Sequence, residues 1–113
     1  MSVRSKRVAS SFIKEISYII MEEIKDPNIK FVTITDCEVT NDFSFATVYF
    51  TVLNLAQKES TIEALNRAAN FIEIELSKRI DIRKMPNLTF KYDDSIEYGQ
   101  RIEQRINELN EME

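Results

Sequence analysis

Apolar residues recur at helical spacing through residues 4–25. Val8, Phe12, Ile13, Ile16, Ile19, Ile20 and Ile24 fall within one broad arc at about 100° per residue, which predicts a long amphipathic first helix. Arg7, Lys14, Tyr18 and Lys25 form a narrow polar column opposite that arc, with Ser11 beside it. Such a column is ordinarily a solvated face, and it also has the shape to lie along a phosphate backbone. Asp26-Pro27-Asn28 closes the helix, because proline removes a backbone donor and steers the preceding residue out of helical geometry.

The period then changes to that of a strand. Residues 31–39 are rich in β-branched side chains, and their apolar face switches from Val32 and Ile34 to Cys37 and Val39. A switch of parity predicts a β-bulge near Thr35 or Asp36. Asn41-Asp42 supplies turn chemistry. In residues 45–53, Ala46, Val48, Phe50 and Val52 alternate with Phe45, Thr47, Tyr49 and Thr51, which completes an antiparallel hairpin.

Ser60-Thr61-Ile62-Glu63 matches a capping box and predicts a helix start. Ile62, Leu65, Ala69, Ile72, Leu76 and Ile80 share one face, whereas Phe71 and Ile74 fall on the polar side of a straight helix. A change of direction at Ala68, Ala69 and Asn70 would bury them; one unbroken helix is the alternative, and composition favours it. After Pro86, Leu88, Phe90 and Tyr92 alternate with Thr89, Lys91 and Asp93 in a third, half-buried strand. Ser95 is placed to cap a final helix with the stripe Tyr98, Ile102, Ile106 and Leu109, its acidic end frayed. The order α-β-β-α-α-β plus a C-terminal helix predicts an α+β fold, with helices packed on one face of a three-stranded sheet.

Composition narrows the class. At 113 residues and 43% hydrophobic content the chain suits a single domain over 1–113 with one core. Its one cysteine, Cys37, cannot form an internal disulfide and reads as a buried small hydrophobe in a reducing cytoplasm. Lys14 and Glu15 interrupt the apolar stretch behind Arg4, Lys6 and Arg7, so the N-terminus reads as folded domain, not as a targeting peptide. No apolar run approaches the roughly 18 residues a membrane span needs, and a soluble chain without a membrane partner is expected.

The net charge of −4 argues against a sequence-blind polyanion binder, yet the charge is unevenly placed. Residues 1–14 carry Arg4, Lys6, Arg7 and Lys14 and no acid, while residues 93–113 carry seven acids against Arg101 and Arg105. Lys78, Arg79, Arg83 and Lys84 crowd the stretch leading into the third strand. This layout points to a phosphate-facing patch with an oriented partner. Enzyme chemistry finds no footing: there is no histidine, no glycine-rich phosphate loop and no metal-ligand spacing of cysteines. Asp93, Asp94 and Glu97 read as strand-end and capping residues, with no metal or cofactor expected.

The order of elements is that of a type II KH domain, and the residues carry a closer resemblance. Arg7-Val8, Glu15-Ile16-Ser17, Lys25-Asp26-Pro27, Val32-Thr33-Ile34-Thr35, Ala64-Leu65 with Arg67-Ala68, Lys78-Arg79-Ile80, Arg83 with Pro86, Leu88-Thr89-Phe90, and Asp94-Ser95-Ile96 with Gly99 and Arg101-Ile102 together resemble the ribosome-binding factor A family of bacterial small-subunit assembly factors. The resemblance implies a KH-like domain with a helix-kink-helix in place of the GxxG loop, and Gly99 is indeed the only glycine. The kink maps to Ala68, Ala69 and Asn70, with asparagine where the family has glycine.

The resemblance further implies binding to free 30S subunits late in assembly, help with 5′-end maturation of 16S rRNA, support of growth in the cold, and a basic face on ribosomal RNA. Here that face is inferred to comprise Arg4, Lys6, Arg7, Lys14, Arg67, Asn70, Lys78, Arg79, Arg83 and Lys84. Expected partners are the small ribosomal subunit and its rRNA, with other assembly factors, and the chain is expected to be a monomer. The competing reading is a protein-interaction module that dimerises through a sheet edge without touching RNA.

Overall fold

A computed structural model describes residues 2–29 and 31–95. The first helix, α1, spans Val3–Glu22. Ser2 caps it, its Oγ accepting from the Ser5 amide at 3.1 Å. Strands β1 (Val32–Val39) and β2 (Phe45–Val52) pair antiparallel, and the register shifts between Ile34 and Asp36. Thr35 is therefore the extra residue of a bulge, as the switch of parity predicts. A 3₁₀ turn over Leu55–Gln57 leads into α2, Lys58–Arg79, and then β3, Asn87–Tyr92, pairs parallel to β2. The sheet order is β1-β2-β3.

Alternation decides what the sheet buries. Cys37 and Val39, Ala46, Val48 and Phe50, and Leu88 and Phe90 point into one core with Phe12, Ile16 and Ile19 of α1 and Leu65, Ile72 and Leu76 of α2. Each fully buried large side chain contributes on the order of 2 kcal/mol through its removal from water. Phe50 and Tyr92 meet edge to face, with centroids 5.9 Å apart. The opposite sheet face carries the exposed Asp36, Glu38, Thr89 and Lys91.

Polar ties fasten α2 to the turn after α1 and to the sheet edge. The buried Thr61 hydroxyl donates to the Asn28 carbonyl at 3.0 Å, joining the start of α2 to the turn that follows α1. Along the outer edge of β3, the Leu88 amide donates to Glu73 Oε1 at 2.8 Å and the Phe90 amide to Asn66 Oδ1 at 3.0 Å. The Asn66 amide returns a longer bond, 3.4 Å, to the Phe90 carbonyl. Helix side chains thus occupy an edge that would otherwise offer unpaired backbone groups.

Several expectations are corrected. The two central helices are one: α2 runs without a break through Ala68, Ala69 and Asn70, and Phe71 and Ile74 stay exposed at 42% and 49%. No glycine is present to cap a first segment there, alanine favours continuation, and isolated exposed apolar residues are readily tolerated. The helix also begins before the Ser60 box. Asn54 caps the 3₁₀ turn by accepting from the Ala56 amide at 3.0 Å, and Ser60 Oγ donates backwards to the Gln57 carbonyl. The first helix ends at Glu22, not Lys25, so that the chain can turn and seat Ile29 in the core. The final helix, with Tyr98, Gly99, Ile102, Ile106 and Leu109, lies outside the described residues. Among the described residues no helix is long and apolar enough to cross a membrane.

Candidate nucleic-acid interface

One end of the molecule is built by three elements that are remote in sequence. The Ser2 amide donates to Asn41 Oδ1 at 2.9 Å, which ties the start of α1 to the β1–β2 turn. The Asn87 amide donates to the Ser44 carbonyl at 3.0 Å, which ties the segment before β3 to the same turn. Lys84 Nζ adds a 3.1 Å bond to Ser44 Oγ. Arg4, Arg83 and Lys84 are thereby gathered around a cavity of about 240 Å³, whose other walls are Asp42, Phe43 and Ile82.

The turn is held by a dense hydrogen-bond set. Asp42 Oδ1 accepts from Thr40 Oγ1 at 2.8 Å and from the Ser44 amide at 3.1 Å, and Oδ2 accepts from Ser44 Oγ at 2.9 Å. These bonds, the Thr40 hydroxyl first, hold the Asp42 carboxyl below its ordinary range, and the Lys84 charge adds to them. Phe43 is forced to φ 59°, a left-handed conformation that costs a bulky residue on the order of 1–2 kcal/mol. The Arg4 guanidinium sits over its ring, 5.3 Å from the centroid.

The other inferred cations divide into free and engaged groups. Arg7 and Lys14 are exposed on α1, and Arg67 and Asn70 on α2; none of the four lines the Arg4–Arg83–Lys84 cavity. Lys6 faces a separate, wider hollow that it shares with Glu38. Lys78 pairs with Glu75 at 3.0 Å. Arg79 is a brace: it pairs with Glu23 and, at 3.5 Å, with Glu15, and it stacks 4.8 Å from the Tyr18 centroid. Its charge is spent between α1 and α2, so the sequence reading of Arg79 as a free phosphate contact does not fit its surroundings. Among the described residues, Arg4, Lys6, Arg7, Lys14, Arg67, Arg83 and Lys84 form no ion pair.

The sequence reading missed Phe43, Asp42 and Ile82. Its available signal was an aromatic residue set between Asp42 and Ser44 in a turn dominated by small polar residues.

Elsewhere the chemistry is structural. Asp93 accepts from Ser95 Oγ at 2.5 Å, Thr35 Oγ1 at 2.6 Å and the Ser95 amide at 3.0 Å, and these bonds, Ser95 first, lower its pKa. Asp94 pairs with Lys58 at 3.5 Å, and Lys58 also sits 4.5 Å from the Tyr92 centroid. Glu97 lies outside the described residues. Burial, aided by the charges of Asp36 and Glu38, pushes the Cys37 thiol up to about 12, which denies it a nucleophile's thiolate at neutral pH.

Comparison with known proteins bears on this arrangement. A family model described as ribosome-binding factor A matches residues 4–106. A ribosome-binding factor A of Macrococcus caseolyticus is 49% identical over 111 residues, covering 97% of each chain. The crystal structure of ribosome-binding factor A from Thermus thermophilus is similar with a TM-score of 0.71 at 22% identity, covering 78% of this chain and 94% of that one. A homology model of the Thermus thermophilus factor, as fitted into the cryo-EM map of a 30S complex, gives a TM-score of 0.68 at 21% identity, covering 80% and 96%. At those identities the structural likeness is one of fold.

Proposed function

The chain belongs to the ribosome-binding factor A family, and on that premise we propose that it binds the free 30S subunit late in assembly and favours one conformation of 16S rRNA, assisting maturation of its 5′ end. The observation that carries this reading is the gathering of Arg4, Arg83 and Lys84 at one end of the fold, with no carboxylate at ion-pair distance among the described residues. The Thermus thermophilus relative fitted into a map of a 30S complex supports the same partner.

The role is one of differential binding. A protein that prefers one RNA conformation shifts the folding equilibrium by as much as its two affinities differ, and no covalent step is required. Cations clustered at one end, and exposed Asp36 and Glu38 on the open sheet face, orient the approach to a polyanion. A cytoplasmic monomer acting on a KH-like scaffold, needed most when RNA misfolding is slow to resolve in the cold, fits this role. The occupied β3 edge speaks against the rival sheet-edge dimer on that side.

The test is co-sedimentation with isolated small subunits, large subunits and intact ribosomes at two salt concentrations, using wild type and an Arg83→Glu, Lys84→Glu variant. Expected are selective binding to free small subunits and, in the variant, weaker binding with a log–log salt slope shallower by about 2. Absence of binding to any particle would overturn the function; binding indifferent to the double reversal would move the interface elsewhere.

A further inference from the structure

We propose that the cavity between α1, the β1–β2 turn and the segment before β3 is a seat for one unpaired RNA nucleotide, its base against Arg4 and Phe43 and its phosphate on Arg83 and Lys84. This rests on the RNA-binding reading and adds to it the class of RNA element that the surface grips.

Three independent observations converge on a nucleotide rather than a bare phosphate. The first is size: about 240 Å³ walled by both apolar and charged groups is on the scale of a single base. The second is the stacking platform. Single-stranded RNA is held by aromatic rings and arginine planes on which unstacked bases lie. Here a guanidinium already lies over a phenyl ring, and Arg4 is exposed. The ring, held at φ 59°, packs with one side against the core and carries Arg4 over its face.

The third observation is Asp42. A carboxylate in the wall repels a free anion but suits the amino edge of a base. An ionised carboxylate has about four acceptor positions. Oδ1 already takes two donors, whereas Oδ2 takes only Ser44 Oγ, so one acceptor remains on the cavity's own carboxylate. Guanine and cytosine offer N–H groups to such an acceptor. Uracil offers carbonyl oxygens on both sides of its single N–H. Arg83 and Lys84, close by on the same wall, complement the 5′-phosphate. The division of labour is therefore aromatic and guanidinium surface for the base plane, carboxylate for the base edge, and cations for the phosphate.

The experiment follows backbone amide shifts of the full chain during titration with guanosine, cytidine and uridine 5′-monophosphates and with ribose 5-phosphate. Expected are shifts centred on Asp42, Phe43, Ser44, Ile82, Arg83 and Lys84 with the guanosine and cytidine nucleotides. Uridine 5′-monophosphate should bind about tenfold more weakly, and ribose 5-phosphate should move at most the Arg83 and Lys84 amides and leave Asp42, Phe43 and Ser44 unmoved. A Phe43→Gly variant, which keeps the turn conformation without its cost, should lose the response.

Equal shifts with ribose 5-phosphate would reduce the seat to a phosphate site and overturn the proposal. So would no response at these amides, or a response that survives Phe43→Gly. Co-sedimentation of the wild-type chain with small subunits separates the two readings: subunit binding without any nucleotide response removes the seat and leaves the function standing, whereas absence of subunit binding removes both.

Discussion

Asn66 and Glu73 stand two helical turns apart on α2 and serve two amides two residues apart on β3, so alanine at each position tests one bond group at a time. Asn66→Ala removes the 3.0 Å bond from the Phe90 amide and the weaker 3.4 Å return bond. Their joint loss costs about 1.5 kcal/mol, and the better helix propensity of alanine returns about 0.5, leaving about 1. Glu73→Ala removes a charge-assisted bond of 2.8 Å to the amide of buried Leu88, for a net loss of about 1.5 kcal/mol. The two side chains share no partner, so the double variant should lose about 2.5 kcal/mol. With a slope of about 1.3 kcal/mol per M, urea midpoints followed by circular dichroism should fall by about 0.8, 1.2 and 1.9 M at constant slope. Hydrogen exchange adds a local signature: the Phe90 amide should lose excess protection only in Asn66→Ala, and the Leu88 amide only in Glu73→Ala. Midpoint shifts below about 0.2 M, or a double variant no weaker than Glu73→Ala alone, would refute the view that these side chains close the strand edge.

Three further outcomes follow from the geometry. Arg79→Ala should lower the melting temperature by an amount that shrinks at high salt while leaving small-subunit binding intact, because Arg79 braces Glu15, Glu23 and Tyr18; loss of subunit binding by the folded variant would return it to the interface. The Cys37 thiol, usually ionising at 9.0, stays neutral in the fold up to about 12, so its contribution is complete below pH 9 and lost progressively between those values. The stability gap between wild type and Cys37→Ala, measured in urea, should therefore narrow by about 1.4 kcal/mol between pH 8 and pH 10, and a pH-independent gap would refute it. Phe31, 73% exposed at φ 57°, should be replaceable by glycine with a gain of about 0.5–1 kcal/mol in urea denaturation; a loss would mean that its ring packs usefully.

What was legible in the sequence was what depends on local period. Alternation from Phe45 to Val52 placed Ala46, Val48 and Phe50 on the buried face, and the switch after Ile34 located the bulge. A kink at 68–70 follows from the sequence only if Phe71 and Ile74 must be buried, and the hydrophobic effect sets no such requirement on single residues. The Ser60 box failed because a 3₁₀ turn had already started the helix, and a cap motif inside a helix is only a set of side chains. For the candidate interface, charge counting treats all the cations alike, whereas the structure brings Arg4, Arg83 and Lys84 together and engages Arg79 with Glu15 and Glu23, because sequence shows where a cation is and not what it faces. Phe43 escaped because its value lies in a neighbour, Arg4, supplied by another element.

The walls of the Arg4–Phe43–Arg83 cavity are drawn from the beginning, the middle and the later part of the described chain, and no local segment carries two of the three. The cavity is thus a property of the completed topology. A chain that has formed its helices but not docked the hairpin turn holds the same cations, yet spreads them over a flexible coil where their fields do not add. Whatever occupies the cavity stabilises the entire fold by RT ln(1 + [L]/Kd), since every opening that separates the three stretches releases it. The proposed seat would therefore also proofread the protein's own folding, because a half-folded copy has no such cavity to offer.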